Sequence, residues 1–221
     1  LLDLALILHA EHGGGNNSSL TVHVVSSADT DTYSAIGAAV GSLKGYRHGG
    51  ANIRVIEMMD DIKSHVRDWS SEKEVKEYLR KIANKEAFDH TGLIYGLGHA
   101  IYTINDPRAT ILRDHAAKLA KEKGLEDEYN LYKLIERLGP EVIYEKHGDE
   151  KKICVNVDFY SGFIYTMLNI PRELFTPLFA VSRIAGWSAH RIEEIVAGGR
   201  IYRPAYKNIL AERNYIPIEK R

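Results

Sequence analysis

Apolar residues recur at intervals of three and four along most of this chain, the spacing of one face of a helix. In "IRVIEMMDDIKSHV" the apolar positions are Ile53, Ile56, Met59, Ile62 and Val66, with charges between them. "EKEVKEYLRKIANK" repeats the pattern with Val75, Tyr78, Leu79 and Ile82. "RATILRDHAAKLAKEKG" carries Ile111, Leu112, Ala116 and Leu119, with basic residues in its last turn and Gly124 as a stop. Asp106 and Pro107 ahead of it form a good helix entry, Asp as the cap and Pro in the first position. "EDEYNLYKLIERLGP" opens on acidic residues and is expected to end at Gly139-Pro140. In "PRELFTPLFAVSRIAGWSAHRIEEIVAGG" Pro177 is expected to break or kink the helix near Thr176. Only "KKICVNVDF" alternates like a strand, through Ile153, Val155 and Val157, and one short strand without a partner makes no stable sheet. The pattern predicts an all-α protein of about ten helices.

The apolar load is uneven. Residues 1–50 and 160–221 hold the most apolar helices, among them "SAIGAAVGSL", whose small residues permit close helix contact. Residues 51–159 are more charged and read as an inserted smaller helical domain between two pieces of a larger one. The opening "LLDLALILHAEH" starts at once with apolar helix formers and lacks the basic region of a signal peptide. It reads as the interior of a longer chain, with the N-terminal part of the large domain missing.

Composition narrows the function. Of 221 residues 44% are hydrophobic and 27% charged, ordinary globular values. Twenty-nine basic and 30 acidic residues leave a net charge of −1. That argues against nucleic acid as a partner, while a local basic pocket for a small anion remains open. Cys154 is the only cysteine, so no intrachain disulfide forms, and a reduced compartment such as the cytoplasm is the simpler reading. No apolar run reaches the ~18 residues of a membrane span.

Four of the ten histidines sit in glycine-rich settings: His9 and His12 in "LHAEHGGGN", His48 in "RHGGAN" and His99 in "YGLGHAIY". The spacing of His9 and His12 places them on roughly one helix face, but the flanking "GGGNNSS" suits a helix end better than a metal, and no metal is expected. His12 reads as a hydrogen-bond donor to an anion at that end. His23, His65, His90, His115, His147 and His190 read as solvated or merely packed. "GLGHA" lacks the third glycine and the strand context of a dinucleotide loop. Asp158 in "NVDFYSG" stands among apolar residues, which disfavours its ionised form and would make it a stronger base; a plain helix cap is the competing account. Arg183 lies inside an apolar run and needs either a structural ion-pair partner or a ligand. Arg108 and Arg203 are open to either a surface or a ligand role. Several arginines together suit a substrate with several carboxylates, because each planar fork takes a carboxylate through two hydrogen bonds.

Six stretches, "LHAEHGGGNNSS", "GSLKGYRHGGAN", "GLGHAIYTINDPRA", "NVDFYSGFIY", "PRELFTPLFAVSRIAGWSAHRIEE" and "RIYRPAY", together resemble the citrate synthase family, in order and across nearly the whole chain. The resemblance implies a multi-helical two-domain fold, of which this chain would be the C-terminal half and more, and a homodimer whose domains close on the substrates. It implies condensation of oxaloacetate with acetyl-CoA and water to give citrate and CoA, with acetyl-CoA as co-substrate and no permanently bound cofactor. By motif, His48 would hydrogen-bond the thioester oxygen, Asp158 would take a methyl proton and His99 would polarise the oxaloacetate carbonyl. His12, Arg108 and Arg183 would hold the oxaloacetate carboxylates, and Arg203 would reach into the partner subunit's site. Two departures stand out: Tyr46-Arg47 where many relatives carry Pro-Leu, and Ala100 where they carry Arg, which puts the CoA phosphate contacts in doubt. The competing expectations are 2-methylcitrate synthesis from propionyl-CoA and a non-catalytic helical interaction domain. The last would be marked by loss of His48, His99 or Asp158, and all three are present.

Overall fold

The computed structural model describes residues 1–45, 48–148, 152–207 and 209–221, and these contain nine α-helices and no strand. In chain order they are α1 (Leu2–His9), α2 (Asn17–Ser26), α3 (Thr32–Leu43), α4 (Ala51–His65), α5 (Glu72–Ala83), α6 (Pro107–Lys123), α7 (Glu126–His147), α8 (Val157–Met167) and α9 (Phe175–Ala197). The alternating stretch around Cys154 is extended but pairs only through a single bridge, Val155 opposite Leu97. Tyr46 and Arg47, one of the two departures from the family pattern, lie outside the described residues.

Helix boundaries follow local chemistry where a cap is encoded. Asp106 caps α6 through the Arg108 N–H, Pro107 takes the first position, and Gly124 ends the helix at φ 69°, a left-handed conformation suited to glycine. The two prolines behave differently. Pro177 falls in the first turn of α9, where backbone N–H groups have no intrahelical acceptor to lose, and the expected break stands just ahead of it, where the 3-10 turn Arg172–Leu174 gives way to α9 at Phe175. Pro140 lies inside α7, which continues to His147 instead of stopping at Gly139. An interior proline costs about 3 kcal/mol. Leu138 and Val142, both buried on either side of it, give the continued helix apolar contacts that offset this cost.

Buried side chains form two clusters. The larger joins α4, α5, α6, α7 and α8, with Met58, Leu79, Leu112, Ile135 and Phe163 at its centre. The smaller joins α2, α3 and α9 through Val22, Ala39, Leu43, Phe179 and Trp187. Helix α1 is fastened to α9: the Gly186 N–H donates to the Ala10 carbonyl at 3.1 Å, and the Arg183 Nε–H donates to the His9 carbonyl at 2.6 Å. No helix is long and apolar enough to cross a membrane, among the described residues.

Candidate active site

Five chain segments meet in a cavity of about 530 Å³ between the two clusters. His12, His48, His99, Arg108, Asp158 and Arg183 all line it, six of the seven residues singled out in the sequence. Arg203 is exposed and does not line it.

Two glycines bring the loops close enough. The Gly49 N–H donates to the Leu43 carbonyl at 2.7 Å, and a Cβ on Gly49 would stand 2.3 Å from that oxygen and 2.9 Å from Thr176 Cγ2. No side chain fits there, so the turn carrying His48 sits flush against α3 and α9. Gly96, at φ 81°, packs where a Cβ would strike Phe159 Cδ2 at 2.6 Å. Its carbonyl accepts from the Asn156 N–H at 2.9 Å, the Gly98 N–H donates to the Cys154 carbonyl at 2.8 Å, and Asn156 Nδ2 donates to the Gly98 carbonyl at 3.0 Å. These bonds clamp the loop of His99 onto the start of α8, beside Asp158.

The histidines are held as neutral rings. His99 Nδ1 accepts from the N–H groups of Ile101 at 3.0 Å and Tyr102 at 3.1 Å, so in the neutral ring the proton sits on Nε2. That nitrogen lies 2.9 Å from His12 Nε2. Burial, aided by the Arg108 charge, lowers the pKa of His99 and takes that of His12 down to about 4. His48 Nε2 stands 3.1 Å from Ser18 Oγ, and burial followed by the Arg183 charge lowers its pKa too. Ser18 Oγ also accepts from Trp187 Nε1–H at 3.1 Å and lies 2.8 Å from Asn16 Oδ1. Its single hydrogen therefore has two acceptors in reach, Asn16 and His48. Ser18 and Trp187 carried no chemical signal in the sequence; only the packing of α2 on α9 joins them to His48.

His9 and His12 do not share a helix face. Helix α1 ends at His9, and His12 lies three residues further on, past the helix end. His9 is wholly buried, with its ring 4.6 Å from the Phe179 ring, and burial drives its pKa down to about 3.

The carboxylate and the arginines are unequally satisfied. Asn156, not Asp158, caps α8, by accepting from the Asp158 N–H at 3.0 Å. The cap account of Asp158 thus falls, and no described residue donates a hydrogen bond to its carboxylate. Burial pushes that carboxyl up to about 6, against the opposing pull of Arg108. Arg108 is buried and gripped by Asp106, Nε to Oδ1 at 3.0 Å and Nη2 to Oδ2 at 2.8 Å. The buried Asp106 also accepts from the Val157 N–H at 3.1 Å, tying α6 to α8. Arg183 is fully buried; only its Nε–H has an acceptor, and Nη1 and Nη2 have none. The structural ion pair considered for Arg183 is absent among the described residues. Two buried amino groups without acceptors, beside a second arginine, are a site for an anion.

The family model for the C-terminal domain of citrate synthase matches residues 1–205. The chain belongs to the citrate synthase family. It is 39% identical to a citrate synthase of Synechocystis over 224 residues, all of this chain and 51% of that protein. It is 36% identical to a 2-methylcitrate synthase of Shewanella oneidensis over 222 residues, again all of this chain and 53% of that protein. Among solved structures it superposes with a TM-score of 0.79, at 31% identity, on a Thermoplasma acidophilum citrate synthase described as a ternary complex with carboxymethyl coenzyme A and oxaloacetate. That match covers all of this chain and 54% of the other. The chain spans about half the length of the curated relatives it matches.

Proposed function

We propose that the complete protein condenses oxaloacetate with acetyl-CoA and water, giving citrate and CoA, as the entry step of the tricarboxylic acid cycle. The observation that carries this reading is the pairing, in one cavity, of an unpartnered buried arginine fork with an unpaired carboxyl raised to about 6. Arg183, Arg108 and His12 bind the oxaloacetate carboxylates. His48 donates a hydrogen bond to the thioester oxygen while Asp158 removes a proton from the methyl carbon. For a neutral His48 to donate from Nδ1, its Nε2 must be the acceptor, and the Ser18 hydroxyl is placed to supply that hydrogen. The enol carbon then attacks the ketone of oxaloacetate, with His99 Nε2–H donating to the developing alkoxide. Water cleaves the thioester of the condensed product, releasing CoA and citrate. Donors fixed where charge develops are the largest single contribution in such reactions, worth roughly 3–4 kcal/mol each.

Closure of the small domain, 51–159, on the large one, 1–50 and 160–221, excludes water from the enol in this reading. A homodimer completes the site, with the exposed Arg203 extending to the partner subunit's oxaloacetate. No resident cofactor is required, and the cytoplasm is the proposed location. Propionyl-CoA is the alternative acyl donor, favoured by the similarity to a 2-methylcitrate synthase. One methylene is worth only ~1–3 kcal/mol in a pocket, so the two donors are separated by rate. The test is thiol release by the complete protein with oxaloacetate and each acyl-CoA. Faster turnover with acetyl-CoA is expected; faster turnover with propionyl-CoA makes it a 2-methylcitrate synthase, and no turnover with either refutes the proposal.

A further inference from the structure

The buried face of α9 carries a second cluster of ionisable side chains, away from the cavity. His23 of α2 and His190 of α9 face each other, with His23 Nε2 3.1 Å from His190 Nδ1. Each ring is held from behind by a carboxylate: His23 Nδ1 lies 2.8 Å from Glu194 Oε2, and His190 Nε2 lies 2.8 Å from Glu11 Oε1. An ionised carboxylate only accepts, so the ring protons belong on those outer nitrogens. In neutral rings the two inner nitrogens are then both lone-pair donors. A third donor joins them, since Glu193 Oε2 is 3.3 Å from His190 Nδ1 and 4.0 Å from His23 Nε2.

Two imidazole lone pairs 3.1 Å apart without a donor between them call for a cation, and the Glu193 carboxylate adds a third lone pair on their solvent side. One proton satisfies a single pair; a divalent ion satisfies all three. The separations of 3.1, 3.3 and 4.0 Å admit a centre roughly 2.0 Å from every ligand atom, the length of a zinc–imidazole or zinc–carboxylate bond. Metal-bound histidines characteristically donate their second N–H to a carboxylate, and both do so here. Both rings are largely buried, while the Glu193 side chain is 69% exposed and opens the site to solvent.

We propose that His23, His190 and Glu193 bind one divalent transition-metal ion of the zinc class, with Glu194 and Glu11 orienting the two imidazoles. The site is independent of the acyl-transfer chemistry. It reaches that chemistry only through the chain: Glu11 precedes His12, its carboxylate also accepts the Gly13 N–H, and Gly14 passes directly over the histidine pair. A bound ion therefore fastens the connection between α1 and α2 that carries His12.

The probes are Co²⁺ and Zn²⁺, added to the complete protein after removal of metal with a chelator. Co²⁺ is expected to saturate at about one ion per chain, with the intense visible absorption of a tetrahedral site, and Zn²⁺ to displace it. Zn²⁺ should raise Tm of the wild type and leave that of His23→Gln unchanged. Both His23→Gln and Glu193→Gln should weaken Co²⁺ binding at least tenfold. Glu193 is exposed enough that its substitution leaves folding intact, so this arm stands even where the histidine variant is unstable. Absence of saturable Co²⁺ binding, or equal affinity in the wild type and Glu193→Gln, overturns the proposal and leaves the pair sharing a proton.

Discussion

Replacing Arg183 by leucine should weaken oxaloacetate binding strongly while changing the free protein's stability far less than the loss of a fully paired buried arginine would. Burial lowers the pKa of this guanidinium to about 10, well below its ordinary value. At ~1.4 kcal/mol per pKa unit, keeping it charged in the empty cavity costs the fold about 3 kcal/mol. Against that stands one charge-assisted hydrogen bond, Nε–H to the His9 carbonyl, worth ~1.5–3 kcal/mol, and packing over the Phe179 ring at 4.7 Å. The leucine variant loses the bond and the penalty together, so its free energy of unfolding should stay within about 2 kcal/mol of the wild type. Oxaloacetate, in contrast, loses both Nη donors. Two charge-assisted hydrogen bonds at ~1.5–3 kcal/mol each correspond to a Kd raised at least a hundredfold. Calorimetric titration of the complete protein with oxaloacetate, beside thermal unfolding of the same samples, measures both quantities. An unchanged Kd, or a loss of more than about 4 kcal/mol of stability with a proportionate loss of acyl-CoA binding, would show that Arg183 is a structural residue.

Asp158→Asn should cut turnover about 10²–10⁴-fold with oxaloacetate Kd within a few-fold of wild type, and near-normal turnover in steady-state assays would remove Asp158 as the base. Because its folded-state pKa is raised to about 6, the stability it confers is complete below about pH 4 and lost as pH rises through 6. Thermal unfolding of Asp158→Asn should therefore exceed wild type at pH 7.5 and converge on it near pH 4; a constant difference across that range contradicts the raised pKa. Ser18→Ala should slow turnover roughly tenfold and cost ~1–3 kcal/mol in denaturant unfolding, because Trp187 Nε1–H keeps no acceptor and His48 loses its partner; unaltered kinetics would dissociate Ser18 from His48. Gly49→Ala should destabilise by ~1–3 kcal/mol or more, since its Cβ would stand 2.3 Å from the Leu43 carbonyl oxygen, and a wild-type Tm would mean the turn around His48 yields freely.

Sequence and structure divide the explanation unevenly. The all-α class, and the positions of α4, α5 and α6, follow from apolar spacing together with caps such as Asp106 and Gly124, because helix formation and termination draw on contacts within a few residues. The candidate site residues follow from six short motifs and the family they resemble; taken locally, Asp158 fits a helix cap and Arg203 a surface residue, because sequence neighbours alone do not say what a side chain faces. The continuation of α7 through Pro140 was not legible, since it depends on what Leu138 and Val142 bury. Nor was the true cap of α8, because Asn156 and Asp158 stand two residues apart and only geometry distinguishes them.

What the tertiary structure alone decided is how each charge is satisfied. In the sequence Arg108 is open to a surface or a ligand role, while Arg183, inside an apolar run, needs an ion-pair partner or a ligand. In the fold, Asp106 grips one, and the other keeps two buried amino groups without an acceptor. His23 and His190, 167 positions apart, read as ordinary packed histidines until α2 lay against α9 and set their rings 3.1 Å apart. Local sequence selects helices because their hydrogen bonds close within four residues. Burial, desolvation and the pairing of charges depend on segments far apart in the chain, so they exist only once the helices have packed.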